Sequence, residues 1–445
     1  MSPFCPGIEN YGIEKEMGGG RIVRIFILFG NGSQMSTFDI NLHETLYSLS
    51  NALDLVGITH IRHGKRVAFI ASECGKYLHW SGQCMDDLFE AAILHDIGVA
   101  KTVVHSRLAQ FEWEEEIEHC RTGASLLQSS PLLEKLAPMV RHHHTHWSEL
   151  KDLALPMETK WIANCIYLAD RVDMLSLSSR IDNANLLLFK DEIRKKIQGK
   201  RGDFFCDELV EAFLSISRSE AFWFSLENEH VDGYSSTWLS ETPVQKIDFQ
   251  DLRSIILIFS YVVDAKSPFT KAHSDGVARL AKFIGSLWNL PPERCEMLEL
   301  AGLLHDIGKL RLPDALLEKP GKLTPEERAQ VKRHSFDTYS ILKNIKGLER
   351  ISEWASQHHE RMDGSGYPYH LDRSTLSLEA RIIAVADVFQ ALAQKRPYRD
   401  PLRPNEIMNI LNEQADDGKL DRDVVNSVDR QLQACWEVAI SAQQV

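Results

Sequence analysis

From about residue 40 onward, the apolar residues of this chain recur mostly at the three- and four-residue spacing of amphipathic helices. In the C-terminal half, Ser267-Pro268 predicts a helix start and Pro291-Pro292 predicts its end. Further helices are predicted over Thr324 to His334, Leu348 to Arg361 and Ser377 to Lys395. Residues 21–40 instead have the β-branched and aromatic pattern of a short strand or hairpin. The sequence therefore predicts an all-α fold with, at most, a short β-hairpin near the N-terminus.

Changes in composition divide the chain into four segments. Residues 1–37 are a glycine-containing lead-in with the predicted strand, and residues 236–248 are polar and predict a linker. Two helical domains are predicted at residues 38–235 and 249–440. This division fits the length, because 445 residues exceed what one ordinary hydrophobic core organises.

The formal net charge of −13 argues against a protein that binds nucleic-acid polymers, which require a basic surface. A small phosphodiester ligand is still compatible, because a metal centre brings positive charge that this total omits. The apolar runs are too short to span a membrane, and no signal-peptide pattern opens the chain. Eight scattered cysteines without a C-x-x-C pair favour reduced thiols. We therefore expect a cytoplasmic protein that makes no membrane contacts.

The two predicted domains contain the same ordered set of metal-capable residues. The separation from His63 to His95 equals that from His273 to His305, at 32 residues. The pentapeptide Leu-His-Asp-Ile-Gly occurs once in each half at these second histidines, and a later histidine precedes a His-His pair by 24 and 25 residues in both halves. This agreement predicts two domains of shared ancestry and shape.

The C-terminal half contains seven residues of the types that hold two transition metals at one centre. They are His273, His305, Asp306, His334, His358, His359 and Asp387. Each lies on or at the end of a predicted helix, so the interior of one bundle can gather them. Asp306 is short enough to bridge two ions, and ions about 3.5–4 Å apart clamp a phosphodiester and activate a water. Lys309 is expected to offset charge on the phosphoryl oxygens.

Residues 249–440 resemble the HD-GYP family of bacterial cyclic-dinucleotide phosphodiesterases, a branch of the HD superfamily of metal-dependent phosphohydrolases. The resemblance rests on four stretches: Leu304 to Lys309, Lys319 to Thr324, His358 to Pro368 and Arg396 to Arg399. Residues 38–235 resemble a degenerate copy of the same domain. Two tandem HD-type helical bundles, with a contact between them within one chain, are therefore implied, and a homodimer is compatible with this arrangement.

The resemblance also implies a reaction and a site. Cyclic di-GMP or 3′,3′-cyclic GMP-AMP would be opened to a linear dinucleotide by a hydroxide that two divalent metals activate, with Asp306 and Lys309 as catalytic residues. The metals expected are Fe or Mn, with Ni and Zn as alternatives. One metal would be surrounded by His273, His305, Asp306 and Asp387, and the other by His334, His358 and His359, with Asp306 between them. The implied substrate contacts are Asp363, Gly366, Tyr367, Pro368, Arg396 and Arg399.

Two positions depart from the family pattern. Some members have a glutamate four residues before the first histidine that supports a third metal, and here that position is Phe269. Two metals are therefore expected. The family's second acid after the Ala-Asp pair is Gln390 in this chain, which leaves substrate contacts near this position less defined.

The N-terminal copy retains the ligand types but not the residues that surround them. Its candidate second metal site is His63, His95, Asp96, His119, His143, His144 and Asp170. Val99 replaces the lysine, no Gly-Tyr-Pro follows, and the run His142-His143-His144 leaves the register open by one residue. This domain is interpreted as a silent metal-loaded regulator, as a metal-free structural domain, or as a second hydrolase.

Two other functions for the whole chain stay open from the sequence. One is a non-catalytic signalling protein that binds a cyclic dinucleotide or a protein partner, which the eroded first copy would fit. The other is a nucleotidase of the wider HD superfamily.

Overall fold

The computed structural model describes residues 12–17, 21–26, 40–56, 62–99, 117–181, 185–266, 273–319, 321–395 and 400–441. Within these ranges most of the chain is helical, and the predicted all-α fold is confirmed. The predicted helix start at Ser267-Pro268, Phe269 and the Arg396 to Arg399 stretch lie outside the described residues.

The helices of the N-terminal half form one bundle. They are α1 (Leu42–Leu53), α2 (His63–Tyr77), α3 (Gln83–Leu94), α4 (Ile117–Gln128), α5 (Ala137–Arg141), α6 (Trp147–Leu150), α7 (Met157–Ile181), α8 (Lys190–Gln198), α9 (Asp207–Ile216), α10 (Glu220–Phe224) and α11 (Asn228–Glu241). Short 3-10 helices cover Glu134–Leu136 and Leu186–Leu188.

The C-terminal half repeats this arrangement. Its helices are α12 (Phe249–Ala265), α13 (His273–Leu287), α14 (Pro292–Leu304), α15 (Asp314–Leu317), α16 (Pro325–Leu342), α17 (Glu349–Ser356), α18 (Leu378–Ala393), α19 (Pro404–Asp416), α20 (Arg422–Arg430) and α21 (Leu432–Ser441). A 3-10 helix covers Ile307–Arg311. Helix α16 starts at the predicted capping box, in which Thr324 accepts from the Glu327 amide and Glu327 accepts from the Thr324 amide.

The same helix pairs pack in both halves. Helix α2 lies against α3 and α7, and its counterpart α13 lies against α14 and α18. Helix α4 packs on α5, as α16 packs on α17. The agreement in histidine spacing therefore corresponds to a repeated helical bundle, in which each ligand-bearing helix has a structural twin.

A hairpin near the N-terminus is confirmed, but it begins earlier in the chain than the predicted residues 21–40. Strands β1 (Gly12–Met17) and β2 (Arg21–Phe26) pair antiparallel, so the hairpin includes part of the segment assigned to the lead-in. Two further short strands were not predicted, β3 (Ile40–Asn41) and β4 (Lys246–Ile247), which also pair antiparallel. Each precedes the first helix of one half.

The two halves contact each other at several points besides the β3–β4 pair. The amide of Leu42 donates to the carbonyl of Gln245 at 2.9 Å, and the hydroxyls of Ser130 and Ser254 lie 2.8 Å apart. Helix α1 also packs against α16 and against the 3-10 helix Ile307–Arg311 of the other half. The first helix of the N-terminal half thus supports two elements of the C-terminal half.

Two predicted boundaries differ from the structure. The linker predicted at 236–248 is helical up to Glu241, because Val231 and Ser235 bury one side of α11. The helix predicted through Arg361 ends at Ser356, and the Gln357 amide caps it by donating to the Glu353 carbonyl. The His-His pair therefore lies in a turn, which lets adjacent side chains point toward one centre, whereas neighbours on a helix diverge.

The packed interior is apolar and continuous across both halves. Among the described residues, no helix has the length and apolarity needed to cross a membrane.

Candidate metal centre

Five elements of the C-terminal bundle bring the seven predicted ligands to one place. His273 begins α13, Asp387 lies in α18 and His334 lies in α16. The remaining four occupy the turns after α14 and α17, which are His305, Asp306, His358 and His359. Five of the seven are buried, whereas His359 and Asp387 are half-buried.

Gly308 explains how the His-Asp turn reaches α16. A Cβ atom at this position would lie 2.0 Å from the carbonyl oxygen of His334 and 2.8 Å from the amide nitrogen of Thr338. Only glycine permits this approach of two backbones. The Gly308 amide donates to the Thr338 hydroxyl, which donates in turn to the His305 carbonyl. The glycine of the His-Asp-Ile-Gly motif therefore sets the distance between the second and third histidines.

The first group of donors surrounds Asp387. Its Oδ1 lies 3.3 Å from His273 Nε2 and 3.9 Å from His305 Nε2. His273 Nδ1 lies 3.1 Å from Oε1 of Gln394, an amide oxygen that only accepts, so Nδ1 carries the proton and Nε2 presents its lone pair to the centre. The three ligand atoms of His273, His305 and Asp387 lie within 4.8 Å of one another.

The second group consists of three imidazoles. Nε2 of His334 and Nε2 of His358 face each other at 3.2 Å, and both rings donate from Nδ1 to a backbone carbonyl one turn earlier. Two lone pairs at this distance repel each other unless a cation lies between them. His359 completes a group whose ligand atoms are within 4.8 Å.

Asp306 faces both groups. Its Oδ2 lies 3.2 Å from His305 Nε2, whereas its Oδ1 lies 3.5 Å from His334 Nε2 and 3.8 Å from His358 Nε2. Lys309 donates to the same Oδ2 at 2.5 Å. Among the described residues, buried Oδ1 of Asp306 and Nε2 of His305 have no hydrogen-bond partner. Such atoms are costly to bury unless something binds them, and a divalent transition metal fits the donor set.

The charges of the site are strongly coupled. Burial opposes ionisation of Asp306, but His305 and Lys309 outweigh it and hold the pKa of this carboxyl well below its usual range. Burial alone would lower the pKa of His305, yet Asp306 and Asp387 raise it to about 9. Burial lowers the pKa of His334 to about 4, and burial with the neighbouring histidines lowers that of His358 to about 3. The second group is thus neutral and ready to coordinate.

The Gly-Tyr-Pro loop forms a wall beside the second group. The ring of Tyr367 lies 4.8 Å from that of His359, and its amide donates to the His359 carbonyl. Gly366 leaves no room for a side chain, because a Cβ would lie 2.4 Å from the Cα of Glu360. Buried Glu360 accepts from the amides of Tyr369 and Leu371 at 2.7 and 2.9 Å. This carboxylate ties the loop to the His-His turn.

Of the other predicted substrate contacts, one is exposed, one lies in the Gly-Tyr-Pro loop and two lie outside the described residues. Asp363 is exposed and its Oδ1 accepts from the Ser365 amide, a bond that lowers the pKa of this carboxyl and shapes the turn. Pro368 follows Tyr367 in the loop through a cis peptide bond. Arg396 and Arg399 lie outside the described residues.

The N-terminal half gathers its seven predicted residues in the same geometry. Asp96 lies between two groups, with Oδ2 3.4 Å from His95 Nε2 and Oδ1 3.6 Å from His119 Nε2. Gly98 repeats the close approach of Gly308, because its Cβ would lie 2.0 Å from the carbonyl oxygen of His119. The three-histidine run has one register here, since His143 faces the centre while His142 contacts Thr145.

Sequence reasoning missed several residues that distinguish the two centres. Cys120 joins the N-terminal group, where Ser335 follows the equivalent histidine in the other half. Arg171 pairs with Asp170, and Asp173 accepts from His63 and Arg66. Aligning the two halves by their Ala-Asp pairs places Arg171 opposite Val388 and Asp173 opposite Gln390, so the sequence contained this signal.

Comparison with known proteins gives matches for both halves. The HD domain family matches residues 61–175 and residues 258–424. Over 409 residues the chain is 37% identical to the 3′3′-cGAMP-specific phosphodiesterase 1 of Vibrio cholerae. This match covers 91% of this chain and 95% of that relative. It is also 35% identical over 196 residues to a cyclic di-GMP phosphodiesterase of Pseudomonas aeruginosa, covering 43% of this chain and 47% of the relative.

A solved structure has the same fold over almost the whole chain. The crystal structure of a cyclic GMP-AMP specific phosphodiesterase of V. cholerae aligns with a TM-score of 0.58 at 24% identity, covering 91% of this chain and 98% of that one. At this identity the likeness concerns the fold, and it extends through both helical bundles.

Proposed function

Since this chain belongs to the HD-domain family that includes the 3′3′-cGAMP-specific phosphodiesterase 1 of V. cholerae, we propose that it is a metal-dependent phosphodiesterase that opens 3′,3′-cyclic GMP-AMP to a linear dinucleotide. The observation that carries the proposal is Asp306, whose two oxygens face two separate groups of ligand atoms, one of two imidazoles with Asp387 and one of three imidazoles. This is the arrangement that a carboxylate bridging two metals requires.

The seven C-terminal residues would hold two divalent ions, of which Fe or Mn is our proposal and Ni or Zn the alternatives. When bound, such a pair neutralises the phosphodiester and lowers the pKa of a water between the ions. His273, His334 and His358 present lone pairs because their Nδ1 atoms are engaged elsewhere. The protein therefore fixes the ligands before any metal arrives.

The residues around the centre support catalysis in the C-terminal half. Lys309 is partly exposed and places an ammonium beside the bridging carboxylate, where it can meet a phosphoryl oxygen. Tyr367 presents an aromatic face next to the histidines, and bases stack on such faces. The N-terminal half has buried Val99 at the lysine position and no Gly-Tyr-Pro loop. We assign the reaction to the C-terminal centre.

The extent of the matches supports one of the two dinucleotides. The relative with the 3′3′-cGAMP-specific name aligns through both halves of the chain, whereas the cyclic di-GMP phosphodiesterase of P. aeruginosa aligns with less than half of it. We therefore propose the mixed dinucleotide as the preferred substrate and cyclic di-GMP as the weaker one.

The test is a side-by-side turnover assay with the full chain loaded with Fe²⁺ or Mn²⁺, in which the linear products are separated by chromatography. We expect faster loss of 3′,3′-cyclic GMP-AMP, and a fall of at least about 100-fold in the D306A variant. The matched variant D96A removes the equivalent aspartate of the N-terminal half and should retain turnover.

Each other outcome changes a defined part of the proposal. No turnover of either dinucleotide by metal-loaded protein contradicts the reaction itself. Faster cleavage of cyclic di-GMP corrects the substrate, and faster cleavage of a mononucleotide favours the nucleotidase. An equal loss in D96A and D306A contradicts the assignment to one half.

A further inference from the structure

The N-terminal centre contains a fourth donor that the C-terminal centre lacks. His119, Cys120, His143 and His144 place one ligand atom each within 4.8 Å of the others, and three of the four residues are fully buried. In the C-terminal half the residue after the equivalent histidine is Ser335, whose hydroxyl lies 3.3 Å from His334 Nε2. A thiol thus stands where the other half has an alcohol.

Three of the six distances within this group are close to the edges of a metal tetrahedron. Zinc–nitrogen bonds of about 2.0 Å and zinc–sulfur bonds of about 2.3 Å at tetrahedral angles give edges of about 3.3 Å between nitrogens and about 3.5 Å between nitrogen and sulfur. Nε2 of His119 lies 3.3 Å from Nε2 of His143. Sγ of Cys120 lies 3.5 Å from the former atom and 3.9 Å from the latter.

One ring of this group has the orientation of a metal ligand. His143 donates from Nδ1 to the Val140 carbonyl at 2.6 Å, so its Nε2 presents a lone pair toward His119 and Cys120.

The other side of the N-terminal centre already contains positive charge. Nε and Nη2 of Arg171 donate to Oδ2 of Asp170 at 3.0 and 2.5 Å, and all of these groups are buried. His63 lies between Asp170 and Asp173, at 3.3 and 2.8 Å. In the C-terminal half, apolar Val388 occupies the position of Arg171, and among the described residues no guanidinium pairs with Asp387. The guanidinium of Arg171 therefore supplies the positive charge that a first metal ion would otherwise bring to Asp170.

We propose that the N-terminal half binds a single zinc ion through His119, Cys120, His143 and His144. A site with one thiolate and three imidazoles is closed, since all four tetrahedral positions are filled by protein, and such sites stabilise folds rather than activate water. Thiolate also favours zinc over the harder ions that suit the histidine and carboxylate ligands of the C-terminal centre. The two halves would therefore hold different metals for different purposes.

The experiment uses the full chain, stripped of metal and titrated with Co²⁺ as a spectroscopic substitute for zinc. Wild-type protein should develop the near-ultraviolet charge-transfer band of a thiolate–cobalt bond, with the final intensity of one thiolate-bound cobalt per chain. C120S, which installs the serine of the other half, should lack the band and bind zinc more weakly by more than about 100-fold, beyond the 10–100-fold typical of residues outside the ligand set. The matched control C84S changes a partly exposed cysteine and should keep both properties.

Two further measurements keep the result interpretable. D306A should lose metal from the C-terminal centre and lose turnover but retain the cobalt–thiolate band, which separates this inference from the proposed function. The band of the wild-type protein requires no variant to fold. Its absence at saturating Co²⁺, or unchanged zinc content in C120S, would overturn the proposal.

Discussion

Substituting Gly308 by alanine should lower turnover because it moves a ligand of the catalytic centre, an effect that can be measured apart from the loss of fold stability. The new Cβ would lie 2.0 Å from the carbonyl oxygen of His334, whereas real Cβ contacts below 3.0 Å are essentially never seen. Helix α16 must therefore move by at least about 1 Å, and His334 moves with it. Overpacking of this kind costs about 1–3 kcal/mol, and a misplacement of about 1 Å at a reacting centre costs about 100-fold in rate.

Gly98 provides a matched control. Its Cβ would lie 2.0 Å from the carbonyl oxygen of His119, so G98A creates the same clash in the other half. Urea unfolding should give similar losses of stability for the two variants, whereas steady-state turnover should fall about 100-fold in G308A and change by less than about fivefold in G98A. Comparable activity losses in both variants, or full activity in a folded G308A, would refute the reasoning.

Further predictions concern pH, the loop and its aromatic residue. Metal-free protein should lose stability as the pH falls from 7 to 5, because His334 and His358 take up protons near pH 6.5 in the unfolded chain but have folded-state pKa values of about 4 and about 3. Each histidine should contribute on the order of 1–2 kcal/mol to this loss. The H358N variant should therefore show a weaker dependence of the urea midpoint on pH, and an unchanged dependence would exclude this cause. The E360Q variant should weaken one of the two hydrogen bonds that the side chain of Glu360 accepts from loop amides, and KM should rise while the metal content stays constant. A loss of metal would instead show that Glu360 supports the metal ligands. Y367A should raise KM by about 10–100-fold through lost base stacking and Y367F by less, and equal effects would assign the role to the hydroxyl.

The repeat explains why so much of the site could be predicted from the sequence. Ligand positions on helices are preserved as fixed separations, so His63 and His273 could be paired with their partners by counting. The two oxygens of Asp306 face the two groups as the bridging role requires. The capping box at Thr324 also predicted the start of α16, because it depends on neighbours in sequence.

What the sequence did not predict depends on contacts between distant segments. The turn at His358 replaces a helix because two adjacent imidazoles must face one point, which local propensity does not encode. Cys120 follows the candidate ligand His119 in the sequence, but only the fold shows that His143 Nε2 lies 3.9 Å from its sulfur. The pairing of Arg171 with Asp170 became meaningful only once the carboxylate was seen to face the centre.

The contact of α1 with α16 and with the 3-10 helix Ile307–Arg311 couples the two halves. A fragment beginning at residue 249 would lack both β3 and β4 and would expose the apolar surface that α1 covers. The hydrophobic core that runs through both halves would then be exposed to water where the N-terminal half is missing. Unfolding of either half should therefore be cooperative with the other. Such mutual dependence would give the N-terminal half a structural role whether or not it catalyses a reaction.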